Sequence, residues 1–109
     1  MKNCFVDYPT RSIADVVEYH IGTKRRCYFM ITRISVPIAS RGLGIGTKLL
    51  KEILAAADDE AIYLYLEPQA SGGLTQKELE DWYMRYGFVW YGTIMRRVPQ
   101  LSTKLLSGD

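Results

Sequence analysis

The chain has 109 residues, 48% of them hydrophobic, with 14 basic and 12 acidic side chains and a formal net charge of +2. That length supports one packed core over residues 1–101 and excludes large insertions or a second domain, and the near balance of charge offers no footing for nucleic acid. Two cysteines, Cys4 and Cys27, and one histidine, His20, are too few and too unpatterned for a disulfide framework or a zinc site, so no metal is expected.

In chain order, Met1 to Tyr8 holds only a very short apolar stretch between Lys2 and Asp7. It has no signal-peptide core, and no later run could span a bilayer, so the reading is a cytoplasmic protein with reduced thiols and no membrane association. Asp15 to Ile21 alternates, Arg26 to Val36 is rich in aromatic and β-branched residues, and Gly22-Thr23-Lys24 between them is turn chemistry. This predicts a β-hairpin whose second strand ends at Pro37, which cannot donate to a ladder. After a loop over Ile38 to Gly42, apolar residues recur at Ile45, Leu49, Ile53, Leu54 and Ala57, with Lys48, Lys51, Glu52 and Asp59 on other faces. That spacing predicts a helix from about Gly44 to Asp58.

Ala61 to Leu66 (AIYLYL) fits a buried strand parallel to the one before the helix, making a β-α-β unit. Glu67 to Gly73 reads as loop, Thr75 with Glu78 three positions later signals a capping box, and the second helix should reach Tyr86 with Gly87 as its C-terminal cap. Phe88 to Tyr91 and Thr93 to Val98 alternate around Gly92, as two strands or one bent strand. The predicted order is β-β-α-β-α-β-β, followed by a flexible tail over 102–109 that ends Ser-Gly-Asp.

Arg41-Gly42-Leu43-Gly44-Ile45-Gly46 lies where a strand passes into a helix. Unpaired amides at a helix N-terminus carry partial positive charge, glycines allow close approach to the backbone, and Arg41 adds a charged donor, so the pattern suits a pyrophosphate. A bare tight turn would also use glycine. A dinucleotide fold would need more chain than remains after Asp59 and Glu60, and a nucleoside-triphosphate loop needs Gly-Lys followed by Ser or Thr, whereas Gly46 is followed by Thr47-Lys48.

Ser35-Val36-Pro37, then Arg41-x-x-Gly44-x-Gly46, then a helix carrying Leu49-Leu50, resembles the coenzyme A motif of the GNAT superfamily of N-acetyltransferases. Trp82-Tyr83-Met84-Arg85-Tyr86-Gly87-Phe88 is similar to that family's Leu-Tyr-x-x-x-Gly-Phe segment. The resemblance covers about Cys27 to Val98. It implies an α/β (α+β) fold with a mixed, mostly antiparallel sheet, a central β-α-β coenzyme A-binding unit and helices on both faces. It implies an enzyme that transfers acetyl from acetyl-coenzyme A, as cosubstrate, to a primary amine of a small molecule or a protein by direct attack.

Carried over residue by residue, the resemblance makes the backbone of Ile34, Ser35 and Val36 the partner of the pantetheine arm and thioester carbonyl. Arg41, Gly42, Leu43, Gly44, Ile45, Gly46 and Thr47 become the pyrophosphate loop, and Tyr83 the general acid for the departing thiolate. Gln76 stands where the family has an asparagine that contacts cofactor. The strand Tyr28 to Val36 carries no carboxylate, so Glu67, just past the next strand, is the nearest candidate general base, with water as the other route. Only about twenty-five residues precede the strand from Arg26, in place of the family's strand and two helices. A second subunit, as in a homodimer, or a bulky protein substrate would then cover the acceptor side. The reading from another class is a degenerate acyl-coenzyme A-binding protein without turnover.

Overall fold

The computed structural model describes residues 1–21, 26–70 and 73–100; the Gly22-Thr23-Lys24 turn and the 102–109 tail lie outside them. The chain runs β1 (Cys4–Asp7), β2 (Ser12–Ile21), β3 (Arg26–Ser35), a short 3-10 turn (Ile38–Ser40), α1 (Ile45–Asp59), β4 (Leu64–Leu66), α2 (Gln76–Arg85), β5 (Val89–Tyr91) and β6 (Ile94–Arg97). One six-stranded sheet has the order β1-β2-β3-β4-β6-β5, and every neighbouring pair is antiparallel except β3 with β4. The mixed, mostly antiparallel sheet around a β-α-β unit is the architecture expected.

β1 was not expected, and β2 starts three residues earlier than the alternation of its second half indicates. The reason is chemical. The inward positions at this end of the sheet are Asp7 and Ser12, paired across β1 and β2 and both buried, so the apolar signal that betrays a strand is missing there. Their burial is sustained by bonding: Thr10 Oγ1 donates to Asp7 Oδ2 at 2.6 Å and lies 2.8 Å from Ser12 Oγ, and Lys48 Nζ of α1 sits 2.7 Å from Asp7 Oδ1. The Lys48 hydrogen bond, then that of Thr10, holds the Asp7 carboxyl below the usual carboxylate range.

α1 ends at a Schellman arrangement in which Ala61 takes the left-handed turn (φ 55°), Ala61 N–H donates to Asp58 O and Ile62 N–H to Ala57 O. That reversal uses up the first half of the expected Ala61 to Leu66 strand, leaving three residues in β4. α2 has the full capping box, with Glu78 N–H donating to Thr75 Oγ1 and Thr75 N–H to Glu78 Oε1.

Helices on both faces were expected; instead both lie on one. The connections β3-α1-β4 and β4-α2-β5 each join parallel strands and advance across the sheet in the same direction, so right-handed crossovers put both helices on the same side. One cluster accordingly unites Leu49, Leu50, Ile53, Leu54 and Ala57 of α1 and Tyr83 of α2 with Phe5, Ala14, Val16, Phe29, Ile31, Leu64, Leu66 and Met95 of the sheet. The opposite face carries a ladder of rings, Tyr19, Tyr28, Tyr65 and Tyr91, with successive centroids 5.5, 5.1 and 6.3 Å apart, and the Arg96 guanidinium 4.0 Å from the Tyr91 ring.

Arg97 is the polar tie of the helical layer. Its guanidinium makes two parallel bonds to Asp58 at the end of α1 (2.7 and 3.0 Å), while Nε donates to Tyr86 O at the end of α2. Gln100 N–H also donates to Asp58 Oδ1. Burial pushes the Asp58 carboxyl up, but the bonds from Arg97 and Gln100 outweigh it and the net shift is downward. A carboxyl lowered on folding contributes stability that is complete above its unfolded value, about 3.9, and is lost as pH falls through the lower folded value. Asp58→Asn should therefore cost about 1.5–3 kcal/mol at pH 7, seen as a Tm lower by several degrees. The Tm gap between parent and variant should close as pH falls below about 4.

Candidate active site

The site begins where β3 loses its partners. β3 pairs with β4 only through Phe29 to Ile31, opposite Leu64 to Leu66. On its other side β3 carries a bulge: Asp15 pairs with Arg33 but Val16 pairs with Ile31, so Thr32 is the extra residue. The bulge switches the phase of the strand. Ile31 and Ile34 both face the helices, and Arg33 turns to the outer face, where it pairs with Asp15 at 2.7 Å.

Beyond Ile31, β3 and the chain after β4 diverge around a cleft of about 790 Å³. Residues Ile31 to Val36 form one wall, Glu67, Gln69 and Ala70 the other, the start of α1 one end, and Leu79, Trp82 and Tyr83 of α2 the floor. Ile34, Ser35, Val36, Arg41, Gly42, Gly44, Ile45, Gly46, Thr47, Glu67 and Tyr83 are thus brought together, while Leu43 points away and is 69% exposed.

At the α1 end, Gly42 (φ 84°) and Gly44 (φ 76°) adopt the left-handed conformation that favours glycine, and Gly44 is the N-cap. That cap has no side chain to offer, and no acidic residue sits in the first turn. Among the described residues, no side chain accepts from the amides of Ile45, Gly46 and Thr47. The contrast with α2 is direct: its N-terminal amides are closed by Thr75 and Glu78, whereas those of α1 open into the cleft and suit an anion. Arg41 Nε donates to Val36 O at 3.1 Å, tying the loop back to the strand end.

Tyr83 is held from two directions. A Schellman motif closes α2, with Gly87 N–H donating to Met84 O and Phe88 N–H to Tyr83 O, and the Phe88 ring meets the Tyr83 ring edge-on at 5.5 Å. The Tyr83 side chain is 8% exposed yet lines the cleft, and burial pushes its phenol up to about 12. Glu67 is exposed at the rim, with Gln69 Nε2 3.4 Å from its Oε1. Gln76 has other partners: Nε2 donates to Pro68 O at 2.7 Å and Oε1 accepts from Ala70 N–H at 2.9 Å.

Thr32, Leu79, Trp82 and the 69–70 segment are cleft residues that motif reasoning misses. Only the bulge leaves a trace in the sequence. A strand with Phe29 and Ile31 inward should place Arg33 inward too, and Ile34 outward, so the polar pair Thr32-Arg33 followed by Ile34 marks a change of phase.

No group of histidine, cysteine, aspartate or glutamate side chains that could hold a metal occurs among the described residues, and none of their helices is long and apolar enough to cross a membrane. The two glycines should respond differently to alanine. At Gly44 a Cβ meets nothing within 4 Å but must adopt φ 76°, so Gly44→Ala should cost about 1 kcal/mol of stability. At Gly46, inside α1, a Cβ would make ordinary contacts at 3.7 Å to Val36 and 4.0 Å to Ile34, so Gly46→Ala should leave the denaturation midpoint unchanged or raise it.

No family model and no curated protein matches the sequence. Solved structures do. Ard1 from Thermoplasma volcanium aligns at 19% identity with a TM-score of 0.61, over 82% of this chain and 63% of that one. AtaTR bound with acetyl-coenzyme A aligns at 14% identity with a TM-score of 0.61, over 88% of this chain and 62% of that one. The anti-CRISPR protein AcrVA5 aligns at 18% identity with a TM-score of 0.54, over 78% of this chain and 85% of that one. The chain thus spans less than two thirds of the first two and most of the third. At these identities the likeness is one of fold, and that fold is the GNAT-like fold of acetyltransferases.

Proposed function

We propose that this chain is an N-acyltransferase that transfers acetyl from acetyl-coenzyme A to a primary amine by direct attack. The observation that carries the reading is the uncapped amide end of α1 at two left-handed glycines, opening into the cleft between the diverging strands, with the Tyr83 phenol on its floor. A structural neighbour holds acetyl-coenzyme A in the same fold.

The residues present fit that cosubstrate. Amides of Ile45, Gly46 and Thr47 receive the pyrophosphate, with Arg41 beside them. Main-chain groups of Ile34 to Val36, without a β4 partner, pair with the pantetheine arm, and an N–H there stabilises the oxyanion formed when the amine attacks the thioester carbon. As the carbon–sulfur bond breaks, Tyr83 gives its proton to the sulfur and the attacking nitrogen loses one to water or to Glu67.

One observation favours turnover-free binding of acyl-coenzyme A: Glu67, the carboxylate on the cleft wall, is exposed at the rim and has no rigid partner. Release of free thiol from acetyl-coenzyme A across a panel of amines separates the readings. A second subunit or a bulky protein substrate would cover the acceptor side.

Millimolar acetyl-coenzyme A should raise Tm, because a ligand selective for the folded state stabilises it by mass action. Gly46→Ala, folded as the parent is, should lose most of that shift, since its methyl group lies between Ile34 and Val36 on the wall the ligand must approach. Equal shifts in both proteins would remove the α1 end from the site.

Tyr83→Phe keeps the ring against Phe88 and removes one proton, so cofactor affinity should persist while turnover falls roughly a hundredfold. With the phenol at about 12, the parent's rate should climb with pH as the acceptor amine deprotonates, with no falling limb below about pH 10. A variant within about twofold of parent turnover, where chemistry limits, would leave solvent as the proton donor.

A further inference from the structure

The wall of the cleft opposite β3 has no ladder to hold it. Leu66 is the last β4 residue paired with β3, and Pro68, two residues on, lacks the N–H that would extend the pairing. Yet Gln69 and Ala70 line the cleft, and the width of the opening depends on where they stand. Gln76 supplies the missing constraint. It is the first residue of α2, directly after the Thr75 cap, and its carboxamide spans the turn: Nε2 donates to Pro68 O at 2.7 Å and Oε1 accepts from Ala70 N–H at 2.9 Å. Both ends of the amide are engaged with main chain.

We propose that Gln76 is a positioning residue, a clamp that fixes the 67–70 wall against the start of α2 and so sets the gap between β3 and β4, rather than a ligand of the cofactor. The proposal rests on the reading of the cleft as an acyl-coenzyme A site, but its first consequence does not. A residue that bonds one acceptor and one donor of the same segment holds that segment at a fixed distance from the helix, and the capping box beside it keeps the helix end itself in place. An asparagine would be one methylene short of reaching both groups. A glutamate of the same length keeps the acceptor for Ala70 N–H and loses the donor to Pro68 O.

The experiment pairs amide hydrogen exchange at Ala70, without ligand, with acetyl-coenzyme A affinity and turnover for the parent, Gln76→Glu and Gln76→Met. In Gln76→Met the Ala70 amide should exchange roughly tenfold faster and acetyl-coenzyme A should bind roughly five- to tenfold more weakly, with kcat at saturation within about twofold of the parent. Gln76→Glu should keep Ala70 protected and recover part of the affinity. Unchanged Ala70 exchange in Gln76→Met overturns the clamp, and so does faster exchange with unaltered affinity. Lost affinity with Ala70 still protected makes Gln76 a direct ligand and also overturns it. A parent that binds no acetyl-coenzyme A sinks the acyltransferase reading, while Ala70 exchange still decides whether the clamp exists.

Discussion

The rest of the site depends on the parting of β3 from β4 after only three paired residues. A parallel pair normally satisfies its backbone groups along its length, so strands that part inside a fold leave donors and acceptors that something else must satisfy. Here the loss is distributed. The Thr32 bulge keeps β3 joined to β2 across the break, Gln76 takes up the main chain after β4, and the remaining groups of Ile34 to Val36 face the cleft. The open amides of α1 lie at the end of the same opening, so the polar groups that the fold leaves without partners converge on one elongated space.

The second determinant is that all the helix sits on one side. Each core residue of the sheet belongs to the same layer as α1 and α2, and Tyr83 is at once a member of that core and a wall of the cleft. This double position accounts for its chemistry. A ring that must pack against Phe88 is pinned by the helix-ending motif, and the burial that pinning requires raises the phenol, so packing and ionisation are set by one side chain. Among the described residues no helix lies over the tyrosines of the opposite face, and they interact with each other and with Arg96 instead.

Most of this was legible in the sequence where the local rule and the tertiary structure agree. Leu49, Ile53, Leu54 and Ala57 at helical spacing marked α1, Thr75 and Glu78 marked the start of α2, and Gly42 and Gly44 occupy the left-handed positions that the loop requires. The failures have particular causes. β1 and the first residues of β2 escaped because Asp7 and Ser12 point inward, and the Asp7 carboxylate is paired by Lys48, forty-one residues away in the sequence. The one-sided helical layer follows from the direction of two crossovers, which depends on strand order rather than on any residue. The bonds of Gln76 to Pro68 and Ala70 were not anticipated, because they cross a loop whose path no short-range pattern describes.

Arg97 has a further consequence for the order in which this molecule can be built. It lies in the last strand, and it joins the end of α1, the end of α2 and the Gln100 segment at a single guanidinium. During vectorial synthesis both helices are therefore made before the group that secures their ends, and β6 must also insert between β4 and β5. The nascent chain can assemble the β1-β2-β3 meander with α1 early, since these are neighbours in sequence, but the Tyr83 floor of the cleft waits for the final strand. A chain that stops before residue 97 would carry the glycine turn without the guanidinium that joins the ends of the two helices.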